Sequence, residues 1–212
     1  MNAGITSDST PRGNIWSHPW LIAGALGIFT YVGAEVAIGS LLVNYMGLPQ
    51  IAGLRESTAA NYLMVYWGGA MLGRFIGSAV LQKVRTGPVL GVAAAGAMCL
   101  VVTSILANGH TAMWALLAVG FCNSIMFPST FTLGIQDLGS LRSKGSSLMI
   151  AAIIGGAIIP VLTGQLADHI GLHLSFVLPA LCCVYTAGFG LAAVRRTATL
   201  DIVPPVEPLT EL

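Results

Sequence analysis

The chain has 212 residues, of which 55% are hydrophobic and only 8% are charged, and its formal net charge is +1. Soluble domains carry about 25% charged residues, so this composition, with a mean hydropathy of +0.83, excludes an ordinary soluble surface. The near-zero net charge and the lack of basic runs give no indication of a nucleic-acid-binding surface. The sequence therefore predicts a polytopic protein of the lipid bilayer.

Six apolar runs follow one another along the chain, and each is about as long as the roughly 20 residues that a membrane-spanning helix needs. They are too long and continuous for barrel strands, which alternate polar and apolar residues. All six are therefore predicted to be helices, and the fold to be all-α. The predicted spans are Trp20–Tyr45, Ala59–Leu81, Pro88–Ala107, Ala112–Ile135, Ser146–Ala167 and Leu172–Val194.

The basic residues predict an orientation. With a cytoplasmic N-terminus, the outer loops hold only Arg55. The inner segments then hold Arg12, Lys83, Arg85, Arg142, Lys144, Arg195 and Arg196. This asymmetry predicts that both termini are cytoplasmic. Residues 1–18 are expected to be a polar cytoplasmic linker or tail, residues 19–196 the six-helix membrane domain, and residues 197–212 a disordered cytoplasmic tail.

The second span contains a stripe of small residues. Gly69, Gly73 and Gly77 recur at four-residue spacing, which places them on one helix face and allows a neighbouring helix to approach closely. Tyr62 and Tyr66 extend the same stripe. Two interpretations of these tyrosines stay open, rings over a cavity and ordinary packing at an interface.

Prolines and glycines predict irregular helices in the fourth and fifth spans. Pro128 removes a backbone donor and should kink the fourth span. In the fifth span, Gly155, Gly156, Pro160 and Gly164 predict a locally weak helix. Helices interrupted in this way are typical of the moving or substrate-lining segments of transporters.

Four polar residues at membrane depth are the candidate substrate-binding residues, namely Glu35, Asn123, Tyr31 and Tyr66. An ionised carboxylate at mid-bilayer costs roughly 2.5–3.5 kcal/mol on insertion scales, so Glu35 needs a reason to be there. It shares a helix face with Tyr31 and Gly39. Glu35 could accept hydrogen bonds from the hydroxyl groups of a substrate, act as a proton-sensitive switch, or anchor helices. For Asn123 the alternatives are substrate contact and interhelical packing.

Catalytic and metal chemistry are not indicated. The sequence has no Walker-type nucleotide signature and no Ser/His/Asp set at membrane depth, so an enzyme is not expected and no cofactor is predicted. Asp168, His169 and His173 are close in sequence, but Gly171 interrupts the helix that a metal site would need. They are interpreted as interfacial polar residues, and no metal is expected.

Four blocks carry a family resemblance: "YVGAEVAIGSLLVNY", "GRFIGS", "FPSTFTLGIQDLG" and "SKGSSLMIAAIIGGAIIPVLTGQLAD". They resemble the C-terminal half of the fucose–proton symporter family of the major facilitator superfamily (MFS). The glutamate block is most similar to the glucose/galactose transporter branch. The resemblance implies helices seven to twelve of a twelve-helix fold. Glycine-containing turns in "GRFIGS" and "GQLADHIG", on opposite membrane faces, fit two inverted three-helix repeats.

The same resemblance implies a function. It predicts transport of a sugar of the fucose, glucose or galactose class, coupled to protons by alternating access in the cell inner membrane. The partners would be the sugar, the proton, the bilayer and an N-terminal six-helix half, which carries the family's main proton-coupling acids. The alternatives are an MFS exporter of drugs or organic ions and a non-transporting six-helix scaffold subunit.

Overall fold

The structure is a computed structural model that describes residues 14–200, and every regular element in this range is helical. Three short 3-10 turns accompany the helices, at Ile15–Ser17, Gly139–Leu141 and Ala152–Ile154. The α-helices are α1 (Pro19–Gly47), α2 (Glu56–Leu81), α3 (Thr86–Leu106), α4 (Gly109–Asn123), α5 (Met126–Gly134), α6 (Arg142–Ala151), α7 (Gly155–Ile170), α8 (Leu172–Ser175) and α9 (Val177–Leu200).

The helices account for the six predicted spans. Five segments of the described range are long and apolar enough to cross a bilayer, and the bent pair α4 and α5 makes a sixth when taken as one span. The five are Pro19–Gly47, Glu56–Leu81, Thr86–Leu106, Gly139–Ile170 and Leu172–Arg196. The predicted all-helical class is confirmed.

The kink predicted from Pro128 is present. Helices α4 and α5 meet at an angle of 41°, and the break falls at Ser124 and Ile125. A proline has no N–H for the carbonyl four residues earlier, and its ring also clashes with that carbonyl. For Pro128 that carbonyl belongs to Ser124, so the bend lies one turn before the proline.

Helix α1 is the centre of the bundle, and it packs against α2, α4, α5, α6, α7 and α9. Glycines make this possible. A β-carbon on Gly24 would lie 2.7 Å from the Cα of Gly134, and one on Gly27 would lie 2.9 Å from Cγ2 of Thr130. In a bilayer, where helices gain little from the hydrophobic effect, such close packing is a main source of association energy.

The fifth span is irregular, as predicted. A 3-10 turn separates α6 from α7, and Pro160 lies inside α7. Gly155 begins α7 and touches α1, because a β-carbon there would overlap the carbonyl oxygen of Phe29. Gly33 of α1 in turn faces Ile159 of α7. The two helices therefore interlock through reciprocal glycines.

The glycine stripe of α2 permits a close helix contact, as predicted, and the neighbour is the end of α4 with the break that follows it. A β-carbon on Gly73 would lie 2.7 Å from the carbonyl oxygen of Phe121, and one on Gly77 would overlap the side chain of Ile125. The contact is reciprocal, because a β-carbon on Gly120 of α4 would overlap the carbonyl oxygen of Tyr66.

The two predicted tails fall largely outside the described residues, which exclude 1–13 and 201–212. Residues 14–18 include a 3-10 turn, and the side chain of Asn14 accepts a hydrogen bond from the backbone N–H of Trp16. Helix α9 continues to Leu200, past the predicted end of the membrane domain at residue 196. No glycine or proline interrupts the sequence until Pro204, so nothing stops the helix at the predicted boundary.

The glycine packing of α7 predicts a contrast between two alanine substitutions. Gly155→Ala should lower the free energy of unfolding by about 1–3 kcal/mol, a typical cost of overpacking, because the clashing atom belongs to the backbone and cannot rotate away. Gly164→Ala on the same helix has open space around the new β-carbon and should gain about 0.5–1 kcal/mol from helix propensity. Thermal unfolding in detergent compares them. Equal stability of the two variants would contradict this packing.

Candidate functional site

The four candidate residues lie together in one polar cluster, hereafter the Glu35 cluster, formed by Tyr31, Glu35, Tyr66 and Asn123. The hydroxyl of Tyr31 donates to Oε2 of Glu35 at 2.7 Å and lies 3.1 Å from the backbone carbonyl oxygen of Asn123. The side-chain amide of Asn123 donates to the Tyr66 hydroxyl at 3.2 Å. That hydroxyl donates to the backbone carbonyl oxygen of Glu35 at 3.3 Å. The contacts form a closed ring that joins α1, α2 and α4.

Local structure explains how each member reaches the cluster. Tyr31 and Glu35 are one helical turn apart, so their side chains lie on the same face. Asn123 is the last residue of α4, where backbone carbonyls lack intrahelical partners, and its carbonyl is near the Tyr31 hydroxyl. Tyr66 reaches Asn123 because Gly120 lets the backbones of α2 and α4 meet.

The cluster is almost fully enclosed within the described part of the chain. Tyr66, Asn123 and Tyr31 expose 0%, 1% and 3% of their surface, whereas Glu35 is partly exposed. The second carboxylate oxygen of Glu35, Oε1, is buried and has no hydrogen-bond partner among the described residues. An unsatisfied buried acceptor is costly, and because this oxygen is enclosed, a donor from outside the described chain can reach it only if the surrounding side chains move.

No basic side chain forms an ion pair with Glu35 in the described range. Arg74 of α2 is exposed and lines a separate cavity of about 290 Å³, together with Ser78, Gln82 and Pro128. Glu35 is therefore held by neutral hydrogen-bond partners and not by a salt bridge.

Gly39 and Trp67 border the cluster. A β-carbon on Gly39 would lie 3.6 Å from the Tyr66 ring and 3.3 Å from Trp67. The predicted face of Tyr31, Glu35 and Gly39 thus points toward α2 and α4. Trp67 meets Tyr66 edge-on, with ring centroids 5.2 Å apart, and is 45% exposed. Trp67 was not among the residues predicted from the sequence, although it directly follows Tyr66.

Two further polar residues were also missed. Ser129 and Thr130 of α5 are buried, and their hydroxyl oxygens have no hydrogen-bond partner within the described residues. The signal was present in the sequence, since two consecutive hydroxyl side chains follow Pro128 inside an apolar span.

The remaining polar candidates lie elsewhere. Tyr62 is half-buried and meets Trp114 edge-on, with ring centroids 6.0 Å apart, and it has no hydrogen bond to the Glu35 cluster. His169 lies 2.8 Å from the carbonyl oxygen of Gln165, and His173 lies 2.7 Å from that of Ile105. Across the described residues, no three His, Cys, Asp or Glu side chains are grouped as a metal site would require.

Several named transporters are similar to the chain in sequence, although no protein-family profile matches it. The glucose/galactose transporter of Brucella abortus is 49% identical over 180 residues, which are 85% of this chain and 44% of that protein. The L-fucose-proton symporter of Escherichia coli is 36% identical over 158 residues, which are 74% of this chain and 36% of that protein.

Solved structures match as well. The crystal structure of FucP, an MFS transporter, in the outward conformation superposes with a TM-score of 0.78 at 32% identity, over 82% of this chain and 42% of that one. The chain has the fold of one half of an MFS transporter. A second structure, that of the E. coli fucose:proton symporter, superposes with a TM-score of 0.79 at 33% identity.

The predicted resemblance is therefore confirmed, and the relatives of this MFS half are named as transporters rather than enzymes. The chain spans less than half the length of the curated relatives it matches.

The hydrogen bonds of the MFS half predict different roles for two tyrosines. Tyr31→Phe leaves Oε2 of Glu35 without its donor and should lower the free energy of unfolding by about 1–3 kcal/mol. Tyr62→Phe is the matched control, since the Tyr62 hydroxyl has no hydrogen bond among the described residues and phenylalanine keeps the ring that contacts Trp114. Thermal unfolding of the purified chain tests this. Equal stability of both variants would show that the Tyr31–Glu35 bond contributes nothing.

Proposed function

We propose that this chain is the C-terminal half of a sugar–proton symporter of the MFS, with residues 19–196 as its membrane half-domain. Support comes from relatives that are named glucose/galactose transporter and L-fucose-proton symporter. The complete transporter would add an N-terminal six-helix half, and sugar would bind between the halves by alternating access. This division accounts for a chain that matches less than half of each relative.

The observation that carries the proposal is the unpartnered Oε1 of Glu35. A sugar presents several hydroxyl donors, and a carboxylate oxygen is a strong acceptor for them. The other oxygen is already fixed by Tyr31 at 2.7 Å, so the carboxylate is oriented before a ligand arrives. Few, well-placed polar groups within apolar surroundings are typical of small-molecule sites.

The position of Glu35 fits such a site. It lies two residues from the middle of α1, which runs from Pro19 to Gly47. Transporters of this general kind bind substrates near the bilayer midplane, at the interface between repeats. Trp67 lies beside the cluster and is partly exposed. We propose that its ring packs against the C–H groups on the apolar face of the bound sugar.

The polar residues divide between direct and indirect roles. Glu35 is proposed to accept sugar hydroxyls at its buried Oε1 when the cluster opens. Asn123, Tyr31 and Tyr66 are enclosed by one another and are proposed to orient Glu35 and to contact substrate when the cluster opens. The main proton-coupling acids are assigned to the N-terminal half, where the resemblance puts them. The cytoplasmic placement of both termini is supported by the basic residues of the predicted inner segments, and the inner membrane is the location that the resemblance implies.

Uptake measurements test the assignment. The chain, produced together with its N-terminal half in transport-deficient cells, should accumulate labelled fucose, glucose or galactose and should acidify the cytoplasm as sugar enters. No accumulation of any of the three sugars would remove the sugar assignment. Uptake of drugs or organic ions into inverted vesicles, which corresponds to export from the cell, would support the exporter alternative instead.

A single substitution tests the role of Glu35. Glu35→Gln preserves size but removes the charge, and a hydrogen bond to a charged group is worth about 1 kcal/mol more than a neutral one. The KM for sugar should therefore rise about 5- to 10-fold. Glu56→Gln, a matched change at an exposed carboxylate at the start of α2, should leave the KM unchanged. An unaltered KM in Glu35→Gln, at normal expression, would make Glu35 a structural anchor.

A further inference from the structure

An apolar groove lies on the MFS half between α2 and α3, with α4 beneath it. Its volume is about 460 Å³. Both α2 and α3 pack against α4, and the groove is the space left where they diverge. Small residues form part of its walls, among them Gly77, Ala93 and Gly96. Large apolar side chains at its edge are exposed, with Ile76 at 53% and Val92 at 76%, so the groove opens sideways.

The groove has the length of one bilayer leaflet. Its α3 wall extends from Pro88 to Gly96, which is about 12 Å along a helix. The hydrocarbon layer of one leaflet is roughly 15 Å deep. The groove also starts at the helix ends, because Val80 lies in the last turn of α2 and Pro88 in the first turn of α3. It therefore extends from the end of the helices toward the bilayer centre.

Positive charge marks the end of the groove. Val84, which lines it, lies between Lys83 and Arg85 in the connection from α2 to α3. Both basic side chains are exposed. Basic residues beside the acyl region of a membrane protein attract anionic lipid headgroups.

We propose that the groove is a binding site for one anionic phospholipid, with an acyl chain along α2 and α3 and the phosphate at Lys83 and Arg85. The apolar lining and the length of the groove match an acyl chain, and the basic residues at its end match the phosphate. The site is separate from the Glu35 cluster and does not depend on the transported substrate.

Native mass spectrometry of the purified chain tests the headgroup. The probes are dioleoyl-phosphatidylglycerol and dioleoyl-phosphatidylcholine, which share acyl chains and differ in net charge. The chain should retain the anionic lipid at least fivefold more than the zwitterionic one, about the effect of one basic residue near a lipid surface. The double variant Lys83→Gln/Arg85→Gln should lose this preference. The matched double variant Arg142→Gln/Lys144→Gln removes two charges from α6 and should keep it.

A second pair of variants tests the acyl chain. Ala93→Phe fills the groove and should reduce retention of both lipids severalfold. Ala118→Phe adds the same ring at an exposed position of α4 that does not line the groove, and it should leave retention unchanged.

Any one of the following results would overturn the proposal. They are equal retention of the two lipids by the unaltered chain, equal loss of preference in both charge variants, and undiminished binding in Ala93→Phe. Retention of neither lipid would point to the other six-helix half as the occupant of the groove and would also overturn the proposal.

Discussion

Helix α1 can be surrounded by six other helices only because its neighbours meet it at positions that lack a β-carbon. The contact of Gly155 with the Phe29 carbonyl, and that of Gly24 with Gly134, bring backbones together at distances that any other residue would prevent. In a bilayer, dispersion contacts of this kind replace the hydrophobic effect as the force that joins helices. The burial of α1 in turn makes the environment of Glu35 apolar, so the candidate site depends on these glycines.

That environment determines what the Glu35 cluster can do. A carboxylate enclosed by helices needs donors, and Tyr31 supplies one of them. The Asn123 amide donates to the Tyr66 hydroxyl, which in turn donates to the backbone carbonyl oxygen of Glu35, so the two residues fix the position of α1 without satisfying Oε1. A cluster that was purely structural would gain stability by satisfying that oxygen within the chain. An Oε1 without a partner inside the chain is consistent with a site that binds a hydroxyl-bearing ligand.

The sequence predicted features that depend on local chemistry, and it failed where the relative placement of helices matters. The six spans, the Pro128 kink and the glycine stripe of α2 follow from helix length, a missing N–H and four-residue spacing. The meeting of Tyr66 with Asn123 depends on the register between α2 and α4, which periodicity within one helix does not contain. Trp67 was missed for the same reason, because its position beside the Glu35 cluster comes from contacts with Tyr66 and Gly39. Ser129 and Thr130 were missed although the sequence shows two consecutive hydroxyl side chains after Pro128.

The bend between α4 and α5 has a mechanical consequence. Asn123 is at the pivot, while at the other end of α5 the carbonyl of Leu133 accepts a hydrogen bond from the indole of Trp20 at 2.8 Å. Helix α5 has nine residues and is therefore about 13 Å long. A change of about 10° in the bend would displace its far end by about 2 Å. A change in the bend beside Asn123 would thus move the far end of α5, which is bonded to Trp20 in the first turn of α1. In this way α5 connects the hydrogen bonds around Glu35 to the start of α1.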